Sequence, residues 1–206
     1  MTALSHRFRT VPPVGAAHTA AGTPEDAPSE TADAALVAAS LTDPDRFTAV
    51  YDRHFPAVYR YVAGRLGPQV ADDVAAETFL VAFRRRATFD PAKGEVRPWL
   101  FGIATTLVAQ HRRAESRRYR ALAQLAVERG PGDGADHAAA EGLRLDLARA
   151  LTKLSRKERD VVLLVALADL SHQGVADALG IPYGTVGSRL STARRKLRAA
   201  LNRKGE

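Results

Sequence analysis

The chain contains no cysteine, a single methionine and a single tryptophan among 206 residues, and only 6% of it is aromatic. The missing cysteine excludes disulfides, thiolate metal ligands and thiol nucleophiles together, and it fits a reducing, cytoplasmic address. No run approaches the roughly 18 consecutive apolar residues of a membrane span, and the N-terminus lacks the apolar stretch of a signal peptide. Paired carboxylates at metal-site spacing, a G-x-x-x-x-G-K-[ST] loop and an H-E-x-x-H motif are absent, and the six histidines do not cluster. Nothing therefore points to an enzyme, a metal site or a cofactor. The shortage of aromatics argues against one large core and for two small ones. Alternating Val, Ile and Thr are scarce while Ala, Leu, Arg and Glu recur, so the expected fold is all-α, two small helical domains joined by a flexible linker.

What is present is positive charge, unevenly spread. Residues 1–45 hold two basic and six acidic groups, whereas residues 46–206 hold 28 basic and 17 acidic groups. A cationic body of this kind suits polyphosphate partners, since each neutralised phosphate releases condensed counterions.

Along the chain, residues 1–45 are rich in Ala, Thr, Pro and Gly with few large apolar groups, so burial cannot offset ordering entropy and a disordered tail is expected. From Phe47 the texture changes. Phe47, Val50, Tyr51, Phe55, Val58, Tyr59 and Val62 recur at helical spacing, with Asp43 or Asp45 as a candidate cap and Gly64 and Gly67-Pro68 as punctuation. A second helix is expected from about Gln69 to Arg86, its acids early and its arginines late, as the helix dipole favours. Arg97-Pro98-Trp99-Leu100 opens a third, running to about Arg120 with a basic end. Residues 121–142 include Gly130-Pro131-Gly132-Asp133-Gly134 and read as the linker, which leaves 46–120 and 143–206 as the two domains. In the second domain, Ser155 and Glu158 form a capping box ahead of the apolar run Val161 to Leu167.

Residues 171–198 follow the grammar of a helix-turn-helix. Ser171 caps a short helix whose Val175, Ala176 and Leu179 face inward, Gly180 supplies the left-handed residue that ends it, and Ile181 packs between the two helices. In the second helix Val186, Leu190, Ala193, Leu197 and Leu201 form one apolar stripe. Thr185, Ser188, Arg189, Thr192, Arg195 and Lys196 are left on other faces, where such groups bind phosphates and base edges. The competing reading is an ordinary helical hairpin with solvated arginines. The position of the motif at the end of a cationic, two-part chain favours DNA.

The order of these segments resembles the extracytoplasmic-function (ECF) sigma factors of RNA polymerase. The resemblance covers residues 46–203 and rests on Phe47 to Val62, Asp72-Asp73-Val-Ala-Ala-Glu77-Thr-Phe79, Arg97-Pro98-Trp99-Leu100-Phe-Gly-Ile-Ala104, Leu154-Ser155-Arg-Lys-Glu158-Arg and Gly184-Thr185-Val186-Gly-Ser188-Arg189-Leu190. It implies a sigma factor that binds core RNA polymerase and directs promoter-specific transcription initiation in response to a stress or signal. It further implies a protein that is monomeric when free and held inactive by an anti-sigma factor.

The resemblance also assigns roles. Asp72, Asp73 and Glu77 would dock on the polymerase clamp helices; otherwise they complement the helix dipole. Trp99, Arg112, Arg113, Arg117 and Arg118 lie where the family grips the −10 element, although a core position is the preferred reading for Trp99. Tyr183, Thr185, Ser188, Arg189, Thr192 and Arg195 fall on the recognition helix for the −35 element, with Arg189 foremost. This chain has Gly187 where the family usually has Lys or Arg, and Thr192 where it often has Arg. Thr106 and Gln110 stand where the family often has Asn and Asp. The alternative function is a stand-alone helix-turn-helix regulator, which would use the same motif without the first domain.

Overall fold

The computed structural model describes residues 30–125 and 150–202, in which helices are joined by short turns and no strand occurs among the described residues. Helices α1 (Glu30–Ala39), α2 (Phe47–Leu66), α3 (Ala71–Arg85) and α4 (Val96–Leu125) build the first half. Helices α5 (Arg156–Ala168), α6 (His172–Leu179) and α7 (Tyr183–Asn202) build the second. The linker expected over 121–142 begins inside α4, which continues to Leu125, and the rest of it lies outside the described residues, as do residues 1–29 and 143–149.

The expectation of a disordered tail over 1–45 is corrected for its last third. α1 is a helix packed on α2, with Val37 only 1% exposed. Val37 joins the core with Leu36 packed against it, and polar contacts add to this anchor. The buried Asp33 carboxylate accepts from Arg53 and lies 2.7 Å from His54 Nε2, both on α2. Ser40, also buried, donates to the Val37 carbonyl at 2.6 Å. Burial holds the His54 imidazole below its usual pKa against the pull of Asp33, and the nearby Arg97 and Arg53 act in the same direction as burial.

α2 follows its amphipathic pattern with one rotation. Val50, Val58 and Val62 are fully buried, but so are Tyr61 and, nearly, His54 and Arg65, while Tyr51 stands 37% exposed. Tyr51, Phe55 and Phe79 instead form an aromatic cluster on the flank, with ring centroids 4.9–6.0 Å apart. Neither Asp43 nor Asp45 caps α2; the Asp43 carboxylate pairs with Arg46 at 3.2 Å. α3 has acids in its first turn and arginines in its last, as the dipole favours, and Arg86 beyond it stacks over Phe83 at 3.8 Å.

In the second half the local signals are realised one by one. Ser155 Oγ accepts from the Glu158 N–H at 3.3 Å while Glu158 accepts from the Ser155 N–H at 2.7 Å, closing the capping box. Ser171 Oγ accepts from the Gly174 N–H at 3.0 Å, and Gly180 ends α6 at φ 60°, a left-handed conformation that glycine adopts without strain. Val186, Leu190 and Ala193 seat α7 against α5 and α6, whereas Leu201, at the far end of the expected stripe, is 43% exposed.

The two halves fold separately in pattern but pack together, their buried side chains forming one continuous cluster. α6 lies on α4, and α5 lies on α2. Gly64 and Gly102 permit this. A Cβ on Gly102 would sit 2.6 Å from the Ala178 carbonyl oxygen, and one on Gly64 would sit 2.8 Å from Leu167 Cδ1. Arg65 of α2 reaches Asp160 of α5 at 2.6 Å, and Arg97 of α4 donates to the Ala168 carbonyl at 2.8 Å.

These two glycines face different obstacles, and a prediction follows. Backbone cannot rotate away, so Gly102→Ala should separate α6 from α4, at a cost of about 1–3 kcal/mol if the contact is kept. Gly64→Ala meets only the tip of a leucine and should leave the packing intact. Small-angle scattering should report a larger radius of gyration for Gly102→Ala than for either wild type or Gly64→Ala; equal radii for all three would refute this reading of the contact.

Candidate nucleic-acid interface

α7 begins at Tyr183, 57% exposed, whose ring lies 6.2 Å from His172 at the start of α6. Thr185, Ser188, Arg189, Thr192 and Arg195 recur at spacings of three and four, so they share the side of α7 away from buried Val186, Leu190 and Ala193. Ser188 and Arg195 are exposed and the other three half-buried. Ser188 Oγ donates back to the Thr185 carbonyl at 3.1 Å. A Cβ on Gly184 or Gly187 would meet nothing within 4 Å, so this surface is open where a longer side chain could stand.

Lys196 departs from the expected set. Its ammonium lies 2.8 Å from both Glu158 carboxylate oxygens, which ties α7 to the capping box of α5. The contact with Lys196, followed by the backbone hydrogen bond from Ser155, holds the Glu158 carboxyl below its usual pKa. Two cations missed by sequence reasoning join the surface instead. Arg194 and Arg198 line a groove with His172, Gly187, Ser191 and Arg195. The run Arg194-Arg195-Lys196-Leu197-Arg198 signalled them, and only geometry sorts which members face the groove.

α4 supplies the second basic surface. At a rise of about 1.5 Å per residue it is roughly 45 Å long. Thr106, Gln110, Arg113 and Arg117 are all exposed and recur along one face. Thr106 Oγ1 donates to the Gly102 carbonyl at 3.0 Å. Arg112 is half-buried and donates to the Arg65 carbonyl, so it is partly a structural residue. Its guanidinium pKa is held down, first by burial and then by the neighbouring cations Arg65 and Arg159. The side chain of Arg118 lies outside the described residues. Trp99 is not brought to this group. It sits about 20 Å away along α4, half-buried, with its ring 5.1 Å from Phe89 and beside Asp177 of α6.

Asp72, Asp73 and Glu77 are all exposed on α3. Asp72 lies close enough to Tyr51 to raise its phenol pKa, after burial and Asp52. Glu77 instead faces a cleft shared with Gln110, His111 and Arg117 of α4, so geometry divides the acidic trio between two surfaces. Leu80, 47% exposed, continues the Asp73–Glu77 side of the helix and adds an apolar contact point. Among the described residues no group of three or more His, Asp or Glu is placed to hold a metal ion, and no helix is long and apolar enough to cross a membrane.

The two halves match known families in the order in which they occur. Residues 50–118 match the family model described as Sigma-70 region 2, and residues 144–197 match Sigma-70, region 4. The ECF RNA polymerase sigma factor SigL of Mycobacterium tuberculosis is 33% identical over 160 residues, covering 76% of this chain and 89% of SigL. The ECF RNA polymerase sigma factor BldN of Streptomyces coelicolor is 33% identical over 156 residues, covering 72% of this chain, which spans only 57% of BldN's length. Among solved structures CnrH, in complex with the cytosolic domain of CnrY, superposes with a TM-score of 0.58 at 28% identity, covering 82% of this chain and 97% of CnrH. The chain belongs to the ECF sigma factors of RNA polymerase.

Proposed function

We propose that the protein is a promoter-selecting subunit of RNA polymerase: it binds the core enzyme through α3, grips the −10 element with α4 and reads the −35 element with the start of α7. The observation that carries this reading is the occurrence, in one chain and in order, of two family regions, each exposing a basic helix face. A stand-alone regulator would need only the second. The acidic side of α3, with Leu80 beside it, offers a carboxylate-rich and partly apolar docking face. Arg113 and Arg117 suit the backbone of a melted strand, and Arg189 suits a guanine edge in the major groove.

The closed packing gives this function an off state. The centres of the two promoter elements are about 25 base pairs apart, roughly 85 Å at 3.4 Å per step. In the closed form α7 packs on α6 and α6 packs on α4, so about two helix diameters, on the order of 20 Å, separate the two basic helices. Both elements cannot be held at once, and binding polymerase must pull α6 from α4. Each half then engages a site too weak to hold alone, and the pair gains through effective concentration. A partner protein that favours the closed form would act as an anti-sigma factor, as a protein captured like CnrH with the cytosolic domain of CnrY suggests.

The decisive experiment mixes purified protein with sigma-free core polymerase and sequences the transcripts made from genomic DNA. A stable complex starting RNA at a defined set of promoters is the expected result. No complex, together with tight sequence-specific binding of the protein alone to duplex DNA, would transfer the reading to a stand-alone regulator.

Two substitutions on α7 should then act in opposite directions. Arg189→Ala should cost about 1–3 kcal/mol at the preferred −35 sequence, lowering initiation from that promoter about five- to 150-fold while leaving the affinity for core polymerase unchanged. Gly187→Lys has open space around it, removes a mid-helix glycine worth on the order of 1 kcal/mol, and adds a phosphate-binding charge. It should raise the melting temperature and tighten promoter binding, the latter with a steeper salt dependence. A thermal melt of the protein checks the first, and filter-binding titrations of the holoenzyme at two salt concentrations check the second.

A further inference from the structure

Where the halves meet, α2, α4 and α5 enclose a cleft of about 420 Å³. Its walls carry six guanidinium groups: Arg65 from α2, Arg112, Arg113 and Arg117 from α4, and Arg156 and Arg159 from α5. The single carboxylate in the wall, Asp160, is engaged by Arg65 at 2.6 Å and by Arg156 at 3.8 Å. None of the other four arginines has an ion pair with a carboxylate among the described residues. Arg112 and Arg159 are turned to backbone carbonyls, Arg112 to that of Arg65 and Arg159 to those of Leu151 and Leu154. Arg65 is only 6% exposed, and its Nε is a buried donor with no acceptor. Cations are thus brought together in a recess with one anion between them.

We propose that this cleft is a binding site for a small polyphosphate, which latches the two halves together. Its volume falls in the ordinary range for small-ligand sites, about 300–1,000 Å³, and guanidinium forks match phosphate oxygens bidentately. An anion of several charges spread over a few ångströms relieves the mutual repulsion of the six arginines, which a single carboxylate does not. The wall holds no aromatic ring on which a base could stack, and Ala109 is its one apolar residue. Recognition therefore falls on the phosphate chain alone, and an inorganic chain and a nucleoside triphosphate are equivalent ligands.

Because Arg112, Arg113 and Arg117 belong to the first half and Arg156 and Arg159 to the second, the complete site exists only when the halves are closed. A ligand with such differential affinity shifts the equilibrium toward the closed form. It also covers arginines assigned above to the −10 element, so a filled cleft and a held promoter exclude one another. That regulatory consequence rests on the sigma-factor reading; the site does not.

The test uses the full chain and isothermal calorimetry in about 150 mM salt, with inorganic tripolyphosphate and, separately, ATP as probes. One-to-one binding is expected, with the two affinities equal within about twofold. Arg156→Ala should weaken it about threefold and Arg156→Glu at least tenfold, whereas Arg84→Glu, the same charge change on exposed α3 outside the cleft, should weaken it less than twofold. No saturable binding, or equal weakening by Arg84→Glu and Arg156→Glu, overturns the site. ATP alone binding tightly would overturn recognition by the phosphate chain. The natural absence of cysteine lets Arg60→Cys and Ala199→Cys carry a fluorophore pair across the two halves. Energy transfer should rise with tripolyphosphate and saturate with the calorimetric isotherm; unchanged or falling transfer overturns the latch. Neither readout contains polymerase, so failure of the site and failure of the sigma-factor reading are separate results.

Discussion

A buried ion pair sets how the two halves meet. Arg65, near the end of α2, places one guanidinium nitrogen 2.6 Å from Asp160 on α5 and the other 2.8 Å from the Tyr61 hydroxyl. Tyr61 lies 2.7 Å from Thr105 Oγ1, which itself donates to the Phe101 carbonyl of α4 at 2.7 Å. Three helices are thus registered by one chain of polar contacts running through otherwise apolar packing. Such a chain penalises misregister heavily, because a displaced Arg65 would keep its desolvation cost without its partner. Removing one member of a buried pair typically costs about 3–5 kcal/mol.

The same pair contributes little to how tightly the halves hold. When they part, Arg65 and Asp160 both return to water, and resolvation offsets most of the lost attraction. What opposes opening is apolar contact, such as Leu167 against Gly64 and Pro98 against Gly174. An interface registered by charge and held by apolar burial is specific when shut. A wholly apolar seam of equal size would be harder to open, and a wholly polar one would not close in a single register.

The parts of this arrangement that were legible in the sequence are those with short-range causes. The capping box of Ser155 and Glu158, the Ser171 cap and the Gly180 terminator each span four residues or fewer, and each forms as expected. α1 was missed because its anchor is tertiary: Asp33 meets Arg53 and His54 some twenty positions away, and although an Ala-rich decamer favours helix, nothing local announces the partners that hold it. Lys196 read as a surface cation because its partner Glu158 lies 38 residues back. The closed packing was illegible for a related reason. Gly102 in a helix signals nothing until Ala178 of another segment approaches its Cα. The exposed faces of α3, α4 and α7 could be read from periodicity, and the distance between Trp99 and Arg112 from their spacing on one helix, but neither could show that Glu77 turns toward α4.

Arginine at these positions also explains why one surface can serve two states. A lysine pairs as a point charge and would be satisfied by a single carboxylate, whereas a guanidinium offers five donors in a plane and can keep a backbone carbonyl and an anion together. Arg112 already donates to the Arg65 carbonyl and still lines the cleft; Arg159 does the same with two carbonyls of its own half. Their backbone bonds lie within one half of the molecule in each case, so opening does not break them. The guanidiniums therefore stay positioned whether the halves are apart or together, and only the anion they face changes. Preorganisation of this kind reduces the ordering cost of either complex, and it makes the choice between closed and open forms depend on which phosphates are within reach.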